Sequence, residues 1–260
     1  MTTVLVTGGT GVLGRELAPR LARAGYTVRI MSRRAGQANA AGDTEWARAD
    51  LRTGDGVANA VRDAAIIVHA ASSPMMETQE TDVDGTQRLL DAARQAGTEN
   101  FYYISIVGID RVRYPYYAAK LAAEQAIEAA GVPFSILRAT QFHPLLDMFL
   151  GTLFRRGPFL LVPGAAKFQL IDAGEVADHM VESLANGASG RLPDIGGPKV
   201  QTATEIARAW LKASGRRLVR IPIPAMGSLK DMAQGHLTCP QNPVGTITWE
   251  EWLQSRYGNH

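Results

Sequence analysis

The 260-residue chain is 46% hydrophobic and carries 27 basic against 25 acidic side chains, a formal net charge of +2. That is enough apolar material for one ordinary core, and near-cancelled charge with no dense basic run argues against nucleic acid as a partner. The longest apolar runs, such as AAIIVHAAS, fall far short of the roughly 20 residues a membrane-crossing helix needs.

The opening MTTVLVTGG has no basic region followed by an apolar stretch, so no export is expected, and the single cysteine, Cys239, cannot form an internal disulfide. Both features suit a reducing, cytoplasmic setting. Composition carries no signal for oligomeric state.

In chain order, β-branched runs at Val4–Thr7, Thr27–Met31, Thr44–Arg48, Ile66–Ala70, Phe101–Val107 and Phe134–Thr140 read as strands, with helical patterns between most of them. Such alternation predicts an α/β fold of Rossmann type, a doubly wound parallel sheet covered by helices. The segment Val83–Ala96 sets Leu89, Leu90 and Ala93 on one side and is stopped by Gly97.

After Thr140 the pattern loosens. FHPLLDMFLGTLFRRGPFLLVPG mixes a short helix with Gly and Pro, AGEVADHMVESLA restores a helix, and RLPDIGGP reads as one more strand. TATEIARAWLKASG is again helical and a proline-rich passage follows. The expected organisation is a single dinucleotide-binding Rossmann domain, 1–260, with a small discontinuous substrate lobe at about 143–165 and 199–260. Asp172 and Glu175 are expected to cap the helix that begins near Ala173.

The most informative stretch is the loop TGGTGVLG between the first strand and the first helix. Gly8, Gly11 and Gly14 let the backbone turn tightly and approach a pyrophosphate, while Thr10, Val12 and Leu13 bring the loop to the helix N-terminus with its unpaired N–H groups. Where NAD enzymes carry an acidic residue at the end of the second strand, this chain has Ser32, Arg33 and Arg34. A guanidinium can hold a 2′-phosphate that a carboxylate would repel, so NADP is favoured over NAD. Asp50 and Leu51 follow the third strand, where the adenine would lie. Ala70, Ala71 and Ser72 end the fourth with small residues that let a cofactor come close.

In YPYYAAK, Tyr116 and Lys120 are four residues apart and share a helix face. Moving a phenol from a pKa of about 10 to near neutrality takes roughly 4 kcal/mol. An ammonium about 4 Å away supplies on the order of 4 kcal/mol at an effective dielectric near 20. Ser105, near the end of the fifth strand, could polarise a carbonyl. Met75, in the loop after the fourth strand, and Gln141, Phe142 and His143, after the sixth, could line the substrate side. The five histidines show no metal-ligand spacing, and no metal site is expected.

TGGTGVLG, VDGTQRLLDAA, YISIVGID, YYAAK, ILRATQF and the late GTITWEEWL together resemble the atypical short-chain dehydrogenase/reductases of the NmrA-like, NAD(P)-binding group. The resemblance runs over essentially the whole chain. It implies that Tyr116 gives a proton, that Lys120 holds the nicotinamide ribose and lowers the tyrosine pKa, and that Ser105 assists. Two positions depart from the group: Asp82 stands where extended relatives have Asn before V-x-G-T, and their catalytic hydroxyl aligns with Ile106 rather than Ser105. The expected activity is hydride transfer between NADP and a carbonyl, quinone or similar small organic substrate. The alternatives are an NADP-sensing protein without turnover and a cofactor-retaining epimerase or dehydratase.

Overall fold

The computed structural model describes residues 1–34 and 44–258. In chain order these form β1 (Thr3–Thr7), α1 (Val12–Arg23), β2 (Thr27–Ser32), β3 (Thr44–Arg48), α2 (Val57–Val61), β4 (Ile66–His69), α3 (Gly85–Ala96), β5 (Asn100–Ile106), α4 (Pro115–Ala129), β6 (Phe134–Ala139) and α5 (His143–Gly151). There follow β7 (Arg155–Arg156), β8 (Phe159–Val162), β9 (Lys167–Phe168), α6 (Ala173–Leu184), β10 (Gly190–Arg191), β11 (Gln201–Thr202), α7 (Ala203–Ser214), β12 (Val219–Pro222), α8 (Ser228–Ala233) and α9 (Trp249–Tyr257).

The chain divides into two compact units. The first, residues 1–105, 115–137 and 176–192, is built on a seven-stranded parallel sheet of order β10-β6-β5-β4-β1-β2-β3. Strand alternation sorts its side chains between two faces. Leu5, Ile67, Phe101 and Tyr103 join Leu89 and Ala93 of α3 and Ala123 and Ile127 of α4 in one buried cluster. Tyr102 points the other way, and its hydroxyl meets Ser183 Oγ of α6 at 2.8 Å. Helices therefore flank the sheet, as the alternating pattern predicts. β1 pairs with β2 on one side and β4 on the other, so the strand order reverses there. Ligands of open α/β sheets bind at such a switch point, beyond the carboxyl ends of the strands.

The helix expected over 83–96 begins two residues later, because a π-helical turn, Gln79–Asp84, precedes it and buries Asp82. Wider turns of this kind occur often at functional sites.

The second unit, residues 106–114, 138–175 and 193–260, has its own core of Leu146, Leu150, Leu160, Ile206, Trp210, Trp249 and Leu253. β8 pairs in parallel with β12 and antiparallel with β7. Helices α7 and α9 each start on a capping box, Thr202 with Glu205 and Thr248 with Glu251. Asp172 Oδ1 accepts from the backbone N–H groups of Gly174 and Glu175 and so caps α6 as expected. Glu175 does not: its carboxylate accepts from the N–H groups of Thr246 and Ile247 and from the Thr246 hydroxyl. Cys239 is fully buried, its thiol 3.3 Å from the Asp194 carbonyl, and burial pushes its pKa up. Among the described residues no helix is long and apolar enough to cross a membrane.

Candidate active site

A cleft of about 810 Å³ opens at the switch point, lined by Gly8, Thr10, Gly11 and Arg15 from the glycine loop and α1, by Ser32, Arg33 and Arg34 after β2, and by Ala70, Ala71 and Ser72 after β4. Trp46, Asp50, Leu51, Arg52 and Glu77 are also among its lining residues. The glycines are required by what surrounds them. A Cβ on Gly8, whose φ is +68°, would fall 2.6 Å from the backbone of Ala70, and one on Gly14 would fall 2.4 Å from the Gly8 carbonyl oxygen. Gly11 caps α1 with no side-chain hydrogen bond, which leaves the first-turn N–H groups for a ligand anion. These features fit a dinucleotide pyrophosphate.

Leu13 contributes backbone to that N-terminus rather than its side chain, which is buried in the core, while Val12 is exposed. Arg33 and Arg34 are exposed at the cleft, and the Arg34 N–H donates to Ser32 Oγ at 3.3 Å. The sequence pattern missed Arg15 and Arg52. Arg15 donates to the Thr10 carbonyl at 2.8 Å, and Arg52 bridges Asp50 at 3.2 Å and Glu77 at 2.5 Å. Hydrogen bonds from Arg52 hold the Asp50 carboxyl below its ordinary range.

Tyr116 lies one turn before Lys120 on α4, and the phenol and the lysine have different hydrogen-bond partners. The Tyr116 hydroxyl is 2.8 Å from Ser72 Oγ, on the wall of the same cleft. Lys120 is buried, donates to the Ile104 carbonyl at 2.9 Å, and sits 4.1 Å from the centre of the Tyr103 ring. Burial pulls its pKa down to about 8 against the opposing pull of Asp82 and Glu124. At pH 7 about nine-tenths of it is still ammonium.

Ser72 also donates to Asp82 Oδ1 at 2.5 Å, while the Ser73 N–H donates to Asp82 Oδ2 at 2.9 Å. Ser105 was the serine expected beside the phenol. Its hydroxyl is buried without a hydrogen-bond partner, and the hydroxyl that reaches Tyr116 is that of Ser72. Ser72 was expected as a cofactor contact at the end of β4, not as the partner of the phenol.

Behind Ser72, His69 is fully buried, and burial followed by the Lys120 charge lowers its pKa to about 3. The Thr86 hydroxyl donates to the Asp82 carbonyl, so the 3.0 Å contact between His69 Nε2 and Thr86 Oγ1 must be donated by the ring. That leaves Nδ1 to accept from Thr7 at 2.7 Å. The neutral Nε2–H tautomer is thus fixed, and His69 is a strut, not a base.

On the expected substrate side, Met75 is 65% exposed on the loop after β4. Gln141 and His143 belong to the second unit. Gln141 is buried with both amide atoms unpartnered. His143 is fully buried, stacked on Trp249 and Trp252 at ring distances of 5.8 and 5.7 Å, with Asp172 at 4.0 Å. That packing places the ring in the interior of the second unit. Phe142 is the N-cap of α5 and bridges Ile171. Among the described residues no three potential metal ligands gather.

Residues 8–187 match the NAD(P)H-binding family. The chain belongs to that family. That match agrees with the NAD(P)-binding character anticipated from the motifs. One similar protein is the chloroplastic divinyl chlorophyllide a 8-vinyl-reductase of Oryza sativa subsp. indica, 29% identical over 86% of this chain and 62% of that protein. The chain therefore spans less than two-thirds of that relative. An NAD(P)H azoreductase of Xenophilus azovorans is 27% identical over 82% of this chain and 74% of its own. The Escherichia coli NADPH-dependent quinone oxidoreductase QOR2, solved with NADPH, shares the fold at a TM-score of 0.79 with 17% identity, covering 98% and 99% of the two chains.

Proposed function

We propose that this NAD(P)H-binding protein is an NADP-dependent reductase acting on a carbonyl, quinone or similarly electrophilic small organic substrate. Tyr116 is the proton donor, and Lys120 is its electrostatic partner and the holder of the nicotinamide ribose. The observation that carries this reading is the Tyr116 hydroxyl at 2.8 Å from Ser72, a residue on the wall of the glycine-loop cleft. The reductase names of the vinyl-reductase and azoreductase relatives support it. In this reading the hydroxyl role expected of Ser105 passes to Ser72.

When bound, NADPH supplies the hydride. The protein's residues orient it: the α1 N-terminus takes the pyrophosphate and the arginines at the β2 end take the 2′-phosphate. The buried ammonium of Lys120 favours the phenolate left when Tyr116 has given up its proton.

With a panel of quinones and ketones, NADPH fluorescence should decay, and Tyr116→Phe should abolish the decay while cofactor affinity stays within about twofold. Binding without decay across the panel would favour a sensor. Replacing Arg33 and Arg34 by Ala should weaken NADPH far more than NADH, whereas equal losses would overturn the preference for NADP.

A further inference from the structure

Asp82 is buried and acidic, and its side chain reaches the reacting phenol through one hydroxyl. A serine has a single proton to donate. Ser72 gives its proton to Asp82 Oδ1, so the 2.8 Å contact with Tyr116 must be donated by the phenol. With Asp82 ionised, every hydrogen of the chain Tyr116–Ser72–Asp82 points inward. In that state Tyr116 offers a substrate only its lone pairs.

We propose that Asp82 is the terminal proton store of the site, exchanging the substrate's proton with Tyr116 through Ser72. The inference rests on the reductase reading above. Protonating Asp82 reverses the chain: Asp82 donates to Ser72, Ser72 to Tyr116, and Tyr116 outward. In reduction of a carbonyl, bound NADPH would supply the hydride for the new C–H bond, and the carbonyl π pair would take the Tyr116 proton. The Tyr116 oxygen takes the Ser72 proton, and Ser72 takes that of Asp82. The products are the alcohol, NADP⁺ and the Asp82 carboxylate, which is reprotonated from solvent through exposed Ser72. Oxidation runs the same chain inward. Ser72 and Asp82 act through Tyr116, as positioning residues that also carry its proton.

The surroundings suit this role. Lys120 and Tyr116 on α4 and Tyr103 on β5 face the carboxylate, with Glu124 one turn beyond Lys120 and His69 held neutral behind Thr86. Asp82's negative charge favours the Lys120 ammonium and disfavours the Tyr103 phenolate. The Ser73 N–H fixes the second carboxylate oxygen, so the first is left to Ser72.

The test compares wild type, Asp82→Asn, Ser72→Ala and Tyr116→Phe as NADPH complexes. Infrared difference spectra across an acid titration identify the Asp82 carboxyl band by its loss in Asp82→Asn. That band should move in Ser72→Ala and in Tyr116→Phe, and an unmoved band in both overturns the proposal whether or not turnover is seen.

In steady-state reduction, wild-type kcat should fall as pH rises and show more than one proton in flight in mixed H₂O and D₂O. Asp82→Asn and Ser72→Ala should lower kcat on the order of 10²-fold, flatten that pH dependence and leave a single proton, and Asp82→Asn should keep NADPH affinity within about twofold. An Asp82→Asn enzyme with wild-type kcat and isotope response sinks the relay and leaves the reductase reading standing. Wild type inert across the substrate panel sinks the reductase reading, and the infrared shift then decides whether the hydroxyl chain is coupled.

Discussion

Lys120 shows how much a single residue can cost the fold. Its pKa is depressed from 10.5 to about 8, chiefly by burial. The unfolded chain therefore binds more protons than the folded one between about pH 8 and 10.5, and stability rises with pH across that window. Below it the buried ammonium is a penalty of about 3 kcal/mol. Replacing Lys120 by Met should raise the urea midpoint at pH 7 and remove the rise between pH 8 and 10.5, while turnover is lost. Glu124 keeps Arg191 at 2.8 Å, which limits the charge left unpaired. A lower midpoint would show that the contacts with the Ile104 carbonyl and the Tyr103 ring outweigh the cost of burial. The i, i+4 spacing marked Tyr116 and Lys120 as candidates in the sequence. The partners did not announce themselves, because a hydroxyl arriving from 44 residues away leaves no periodicity.

At the scale of elements, the junction of β1, the glycine loop and α1 is read directly from residue types, because only a missing Cβ lets three backbone segments come so close. Gly14→Ala would set a methyl 2.4 Å from both the Gly8 oxygen and the Gly9 Cα, backbone atoms that cannot swing aside. Overpacking of this kind typically costs about 1–3 kcal/mol. The expected outcome is a lower urea midpoint together with loss of NADPH binding by fluorescence titration; unchanged binding would mean that α1 can slide away from the loop. Helix α3 and strands β1 to β6 were legible for the same local reasons. The π-helical turn before α3 was not, since QETDVD has nothing in its spacing that separates a wide turn from an ordinary one. The short strands β7, β8 and β12 were hidden among Gly and Pro; β7 and β8 pair locally, but the pairing of β8 with β12 joins segments about 60 residues apart, which no local pattern encodes.

Across the whole molecule, cofactor and stability are linked through the first unit, which holds every residue that lines the cleft. NADPH at a hundred times its Kd should stabilise that unit by about 2.7 kcal/mol. At about 2–4 °C per kcal/mol for a chain of this size, the calorimetric midpoint should rise by roughly 5–10 °C. A midpoint indifferent to NADPH would count against the cleft as its binding place. Alternation of strand and helix made the parallel sheet legible; the second unit was less so, because its segments are dispersed along the chain and its core is assembled from pieces such as Leu146, Trp210 and Leu253. The sealed thiol of Cys239 has a practical use. Native protein should stay dark to maleimide dyes, so one cysteine placed at Met76, 72% exposed beside the cleft, would carry a fluorophore with no background to subtract.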